Sequence, residues 1–139
     1  MVVIDASVVH KWFSSEGEEL VTVALDLLEH HLNDKEPLLA PDFIIYELGN
    51  SWATKTKLTI SQARKFLKDL EKVKINIEEV NFNLVDSAMK FSKKYGVTVY
   101  DASYAVLAKE KRCNLITADE KFVKQVNLPF VEHLSEYSA

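Results

Sequence analysis

The sequence predicts an α/β fold with a mainly parallel sheet, and three observations carry that reading. Short, continuously apolar runs recur along the chain, as Val2-Val3-Ile4, Leu38-Leu39-Ala40 and Leu115-Ile116-Thr117. Such runs suit strands buried on both faces. Longer segments with apolar residues three and four apart lie between them, giving the strand and helix alternation of parallel sheets. Finally, with only three Gly and three Pro in 139 residues, the chain favours helices over loops.

That length holds one domain with a real core, so residues 1–139 are read as a single domain. Hydrophobic residues make up 47% and charged residues 27%, the balance of a soluble protein rather than a disordered or membrane one. A net charge of -4 argues against a simple nucleic-acid-coating protein, but not against a site where bound cations offset carboxylates. The lone Cys113 forms no internal disulfide and reads as a small packed side chain, which makes the cytoplasm the default location. Neither a signal peptide nor a run long enough to span a membrane is recognised.

The first strand ends at Asp5, where a carboxylate would stand at the mouth of the sheet, the place where open α/β sheets bind ligands. Ala6 to Phe13 reads as a short helix with Val8, Val9, Trp12 and Phe13 on one face and Ser7 as a cap for its first turn. A capping box at Ser15 and Glu18 opens a second helix, with Leu20, Val21, Ala24, Leu25, Leu28 and Leu32 inward and His30 and His31 solvated near its end. Pro41 stops the second strand and, with Asp42, begins a helix carrying Phe43, Ile44, Glu47, Leu48 and Trp52. Glu47 borders the apolar face of that helix, and taken alone it reads as the edge of a core.

Thr59 to Val73 is amphipathic, with Ile60 as a staple before Ser61 and with Ala63, Phe66, Leu67 and Leu70 inward. Alternation over residues 74–78 gives a strand near a sheet edge. Leu84 to Tyr95 is helical and stops at Gly96. Val97 to Tyr100 leads to Asp101, the expected N-cap of a helix whose small Ala102, Ala105 and Ala108 allow close approach to the sheet. Beyond the Leu115 strand, Ala118-Asp119-Glu120 turns into a helix over Lys121 to Val126, and Phe130-Val131 adds a last edge strand. Lysines 55, 57, 65, 68, 72 and 74, and later Lys109, Lys111 and Arg112, form basic clusters that read first as solvated helix faces.

Asp5, Glu47, Asp101 and Asp119 thus each stand at a junction of strand, turn and helix. Carboxylates drawn together repel one another unless protons or cations neutralise them. Magnesium or manganese suits such oxygen ligands and needs no Cys or His. A site of that kind favours phosphodiester hydrolysis. Ser7 and Thr117 are the nearby hydroxyls that would orient a water or a phosphate, and both are equally well explained as a cap and a strand residue.

Four segments, Val3 to Ser7, Ala40-Pro41 through Glu47, Tyr100 to Ala108, and Leu115 to Phe122, resemble the signature segments of the PIN domain. In particular they are similar to the toxins of VapBC toxin and antitoxin pairs. The likeness runs from residue 2 to about residue 131, and its specificity lies in the combination. It implies a three-layer α/β/α domain and a Mg2+- or Mn2+-dependent endoribonuclease. The family's acidic metal ligands fall on Asp5, Glu47, Asp101 and Asp119, its site hydroxyl falls on Thr117, and Ser7 lines the pocket. In-line attack of water on an RNA phosphodiester, an antitoxin that plugs the site with a basic side chain, and a homodimer are further implications. Only two arginines are present, so lysines are left to contact phosphate.

Rival readings are weaker. A haloacid dehalogenase type phosphatase needs a second Asp two residues after the first, where Ser7 stands, and a receiver domain needs an adjacent acidic pair where Asp5 stands alone. A non-catalytic module binding RNA or protein is the remaining alternative. Trp12, Phe13 and Trp52 suit an interface, though core packing accounts for them more simply.

Overall fold

In the computed structural model, residues 1–13 and 19–138 are described, and the capping box expected at Ser15 and Glu18 lies outside them. The described elements in order are β1 (Val2–Ile4), α1 (Ala6–Phe13), α2 (Val21–Leu32), β2 (Leu38–Pro41), α3 (Ile44–Thr54), α4 (Ile60–Val73), β3 (Asn76–Glu78), α5 (Phe82–Tyr95), α6 (Val99–Glu110), β4 (Leu115–Thr117), α7 (Glu120–Val126) and β5 (Val131–His133). A short 3-10 turn, Leu134–Glu136, follows.

All five strands pair in parallel in the order β3-β2-β1-β4-β5. The chain first builds outward from β1 to β2 and β3, then returns to add β4 and β5 on the other side of β1. Right-handed crossovers therefore put α1 to α4 on one face of the sheet and α5 to α7 on the other, giving the three-layer α/β/α architecture. The reversal of direction falls between β1 and β4, a topological switch point at which parallel sheets open a crevice beyond their strand ends. Val3, Ile4, Leu38, Ala40 and Ile116 are fully buried, and α6 crosses them with buried Ala102, Ala105 and Ala108. Small side chains there allow the close approach that the sequence suggests.

Several local expectations shift by a few residues. Pro41 is the last residue of β2, paired with Glu78, and α3 begins only at Ile44. Thr59 caps α4, and its capping box is closed by Gln62, so Ile60 is the first helical residue and stays 72% exposed instead of acting as a staple. Leu25, Leu32 and Leu67 face solvent, while Leu27 takes the core position on α2. The hydrophobic stripe of α2 is wider than the face that the sheet can cover, so spacing alone does not choose among its leucines.

No strand leads directly into Asp101, which lies inside α6. Gly96, in the left-handed conformation at φ 68°, ends α5, and Thr98 then caps α6, with its side chain accepting from the Asp101 backbone N–H. His31 is not solvated. Its Nδ1 accepts from the Leu38 N–H at 3.0 Å and its Nε2 faces the Val73 carbonyl at 2.9 Å, so it ties β2 to the end of α4. His30 meets the Tyr137 hydroxyl at 2.9 Å. Trp12, Phe13 and Trp52 pack inward: the Trp12 indole donates to the Ala24 carbonyl, and Phe13 meets Trp52 and Phe66.

Candidate active site

Parallel register determines the first half of the site. Ile4 stands opposite Ile116, so the next residues, Asp5 and Thr117, leave β1 and β4 side by side. Asp5 keeps some exposure as a residue, but its carboxyl group is enclosed. Its Oδ1 accepts from the Ser7 N–H at 3.0 Å and from the Ser7 hydroxyl at 2.5 Å, and its Oδ2 accepts from the Thr117 hydroxyl. Ser7 is therefore not the cap of α1, since the Asp5 side chain fills that role. The Ser7 Oγ accepts in turn from the Ala118 N–H at 2.9 Å, and the Thr117 Oγ1 from the Asp119 N–H at 3.1 Å. The two hydroxyls thus bridge the Asp5 carboxylate to the turn that carries Asp119.

Helices supply the second half. Asp119 caps α7, accepting from the Phe122 N–H at 3.0 Å. Asp101 lies in the first turn of α6, and Glu47 in the first turn of α3, with both residues partly buried. Glu47 Oε1 accepts from the Tyr104 hydroxyl at 2.6 Å. Tyr104, one turn after Asp101, is only 2% exposed and meets the ring of Phe43 edge-on at 5.2 Å.

Electrostatics link these groups. Burial, with a smaller push from Asp101, raises the Asp5 carboxyl from an ordinary 3.8 to about 6 despite the Ser7 and Thr117 hydroxyls. Glu47 is also raised, first by burial and then by Asp101, against the pull of Tyr104 and Lys55. Burial and then Asp119 raise Asp101. Burial, Glu47, Asp5 and Asp101 hold the Tyr104 phenol far above its usual range, so it serves as a donor. Asp101 is the common member: it acts on Asp5 and Glu47 and is acted on by Asp119.

Among the described residues none of the four carboxylates forms an ion pair. Hard oxygen donors such as these, three of which (Asp5, Glu47 and Asp101) are raised first by burial and then by a neighbouring carboxylate, fit a divalent cation. Among the described residues no three His, Cys, Asp or Glu side chains are already drawn together in a metal-binding group. A cleft of about 220 Å³ opens between Thr98, Asp101, Asp119 and Lys121. The larger groove, about 660 Å³ between α5, α6 and residues 128–130, contains none of the four.

Tyr104 and Thr98 were not among the residues singled out by sequence. Thr98 carries a legible signal, since a Thr three residues before an Asp is a capping pattern. Tyr104 carries only its spacing of three from Asp101, which does not reveal a bond to a residue 57 positions away.

Comparison with known proteins adds the lineage. A family model described as the PIN domain matches residues 2–127. No curated protein matches the chain. Among solved structures, PAE2754 from Pyrobaculum aerophilum superposes with a TM-score of 0.71 at 21% identity, covering 96% of this chain and 83% of its own. A toxin–antitoxin complex from Klebsiella pneumoniae gives 0.69 at 16%, with both chains covered completely. The Mycobacterium tuberculosis toxin VapC20, described as cleaving the sarcin-ricin loop, gives 0.69 at 14%, with 95% of this chain and 98% of that one covered. At these identities the structural likeness concerns the fold, but the family model spans nearly the whole sequence, and the chain belongs to the PIN domain family.

Proposed function

We propose that the protein is a Mg2+- or Mn2+-dependent endoribonuclease acting as the toxin of a toxin–antitoxin pair, with residues 1–139 as one functional domain. The observation that carries this reading is the electrostatic coupling of Asp101 to Asp5, Glu47 and Asp119, from four separate elements and, among the described residues, without an ion-paired cation on any of them. Asp5, Glu47, Asp101 and Asp119 would hold the ion. When bound, a divalent cation in such a site activates a water and offsets the charge that gathers on a phosphodiester during displacement.

The chain's own groups divide the remaining work. Asp5 is fixed by two hydroxyls and a backbone N–H, so its role is to anchor and not to move. Asp101 borders the open cleft with a raised pKa and is placed to accept the proton of an attacking water. Lys121, in the same cleft, is the cation placed to meet a phosphate oxygen. A cognate antitoxin is the partner, its basic side chain entering the acidic cleft, in line with the toxin–antitoxin complexes among the structural neighbours. The proposed active form is a homodimer in the cytoplasm; among the described residues no helix is long and apolar enough to cross a membrane.

The test is cleavage of mixed single-stranded RNAs by purified, antitoxin-free protein, with Mg2+ or Mn2+ against chelator. Metal-dependent endonucleolytic cleavage that disappears in Asp5→Asn supports the proposal. Equal inertness of both proteins at high concentration favours the non-catalytic binding module instead.

A further inference from the structure

We infer that Tyr104 is a positioning residue for the proposed metal site: its hydroxyl holds Oε1 of Glu47 and leaves Oε2 for the ion. The inference rests on the reading of Glu47 as a metal ligand. Glu47 projects from α3, an element that shares no strand register with Asp5, so nothing in the sheet fixes where its long side chain ends. Three freely rotating side-chain bonds would have to be frozen each time an ion bound. The 2.6 Å bond from Tyr104 removes much of that freedom beforehand.

The donor is itself held firmly. Tyr104 is 2% exposed, and Phe43, the N-cap residue of α3 and four residues before Glu47, packs edge-on against its ring at 5.2 Å and against Tyr100 at 5.7 Å. Because Tyr104 follows Asp101 by one turn of α6, the same helix presents a carboxylate and the group that steers its neighbour. A phenol suits this place. It donates one hydrogen bond, adds no positive charge that would compete with a cation, and its ring fills the space between α3 and α6. Groups that orient a ligand in this way typically change metal affinity by about 10- to 100-fold when removed.

Tyr104→Phe keeps the ring and its packing and removes only the hydroxyl, so thermal unfolding should remain cooperative. Mn2+ binding to chelator-stripped protein, followed by calorimetry or by the electron paramagnetic resonance of free Mn2+, is the deciding measurement. The expected result is affinity weakened about 10-fold or more in Tyr104→Phe. In RNA cleavage, kcat should fall at limiting Mn2+ and recover at high Mn2+, with the KM for RNA unchanged. In a Glu47→Gln background the same substitution should have no further effect on Mn2+ affinity. If wild type binds Mn2+ and Glu47→Gln weakens it while Tyr104→Phe does not, this inference is overturned and the metal-site reading survives. Where wild type and Glu47→Gln are alike in Mn2+ binding, the metal-site reading itself fails.

Discussion

Asp5 and Glu47 are two acidic side chains of one candidate site, but the chain fixes them in opposite ways. Asp5 follows a strand at the centre of the sheet, and its three donors come from its own turn and from the adjacent strand end. Glu47 rides on a helix, stays partly exposed, and takes its one side-chain bond from Tyr104 on another helix. The strand-borne carboxylate is rigid and strongly perturbed, with a pKa of about 6. By contrast, the position of the helix-borne one depends on a single donor from another helix. The candidate site thus combines a carboxylate held by its own strand ends with one held only across a helix pair.

The largest effect that would break this contrast is on activity. Asp5→Asn should reduce RNA cleavage to the level seen with chelator, whereas Glu47→Asp, with its shortened arm, should retain measurable cleavage at raised Mn2+. Equal loss in both would mean that the helix-borne carboxylate tolerates displacement as little as the strand-borne one.

Next comes stability and its pH dependence. The folded pKa of Asp5, about 6, lies above the ordinary 3.8, so the folded state holds the proton more tightly. That contribution is complete below about pH 3.8 and is lost as pH rises through 6. Two pKa units correspond to about 3 kcal/mol. Metal-free Asp5→Asn should therefore be more stable than wild type at pH 8, by up to that amount, with the gain disappearing near pH 4. Denaturant unfolding at the two pH values checks it, and added Mg2+ should close the gap by stabilising wild type alone.

Thr117→Val should cost about 1–3 kcal/mol, because it strips a donor from the Asp5 carboxylate and an acceptor from the Asp119 N–H. It should also move the acid limb of the cleavage profile to higher pH, since the lost hydroxyl lowers the Asp5 pKa. The smallest effect is that of Thr98→Ala, which removes the cap beneath Asp101 at a cost of about 1 kcal/mol. Calorimetric melting should register the cost while Mn2+ affinity changes little, because buried Ala102, Ala105 and Ala108 still hold α6 on the sheet.

Legibility followed the same division. The ends of β1 and β4 are announced by apolar runs that stop at Asp5 and Thr117, and a parallel pairing makes them neighbours without further information. Gly96, the only glycine with positive φ among the described residues, was likewise readable as a helix end. The segment before Asp101 was not: Val97, Val99 and Tyr100 have strand-forming side chains, yet Thr98 caps a helix that starts at Val99, because close packing of the alanine face on the sheet outweighs local preference. Nor was the partnership of His31 with Leu38 and Val73, which depends on where α4 happens to end.

By itself the sequence determined the fold class and the alternation of elements, since each is a matter of local pattern: apolar period, capping residue and strand end. Tertiary structure alone decided how the carboxyl groups perturb one another and which donors hold them. Those properties arise from burial and from contacts between elements far apart in the chain, as between Tyr104 and Glu47, which no local pattern encodes.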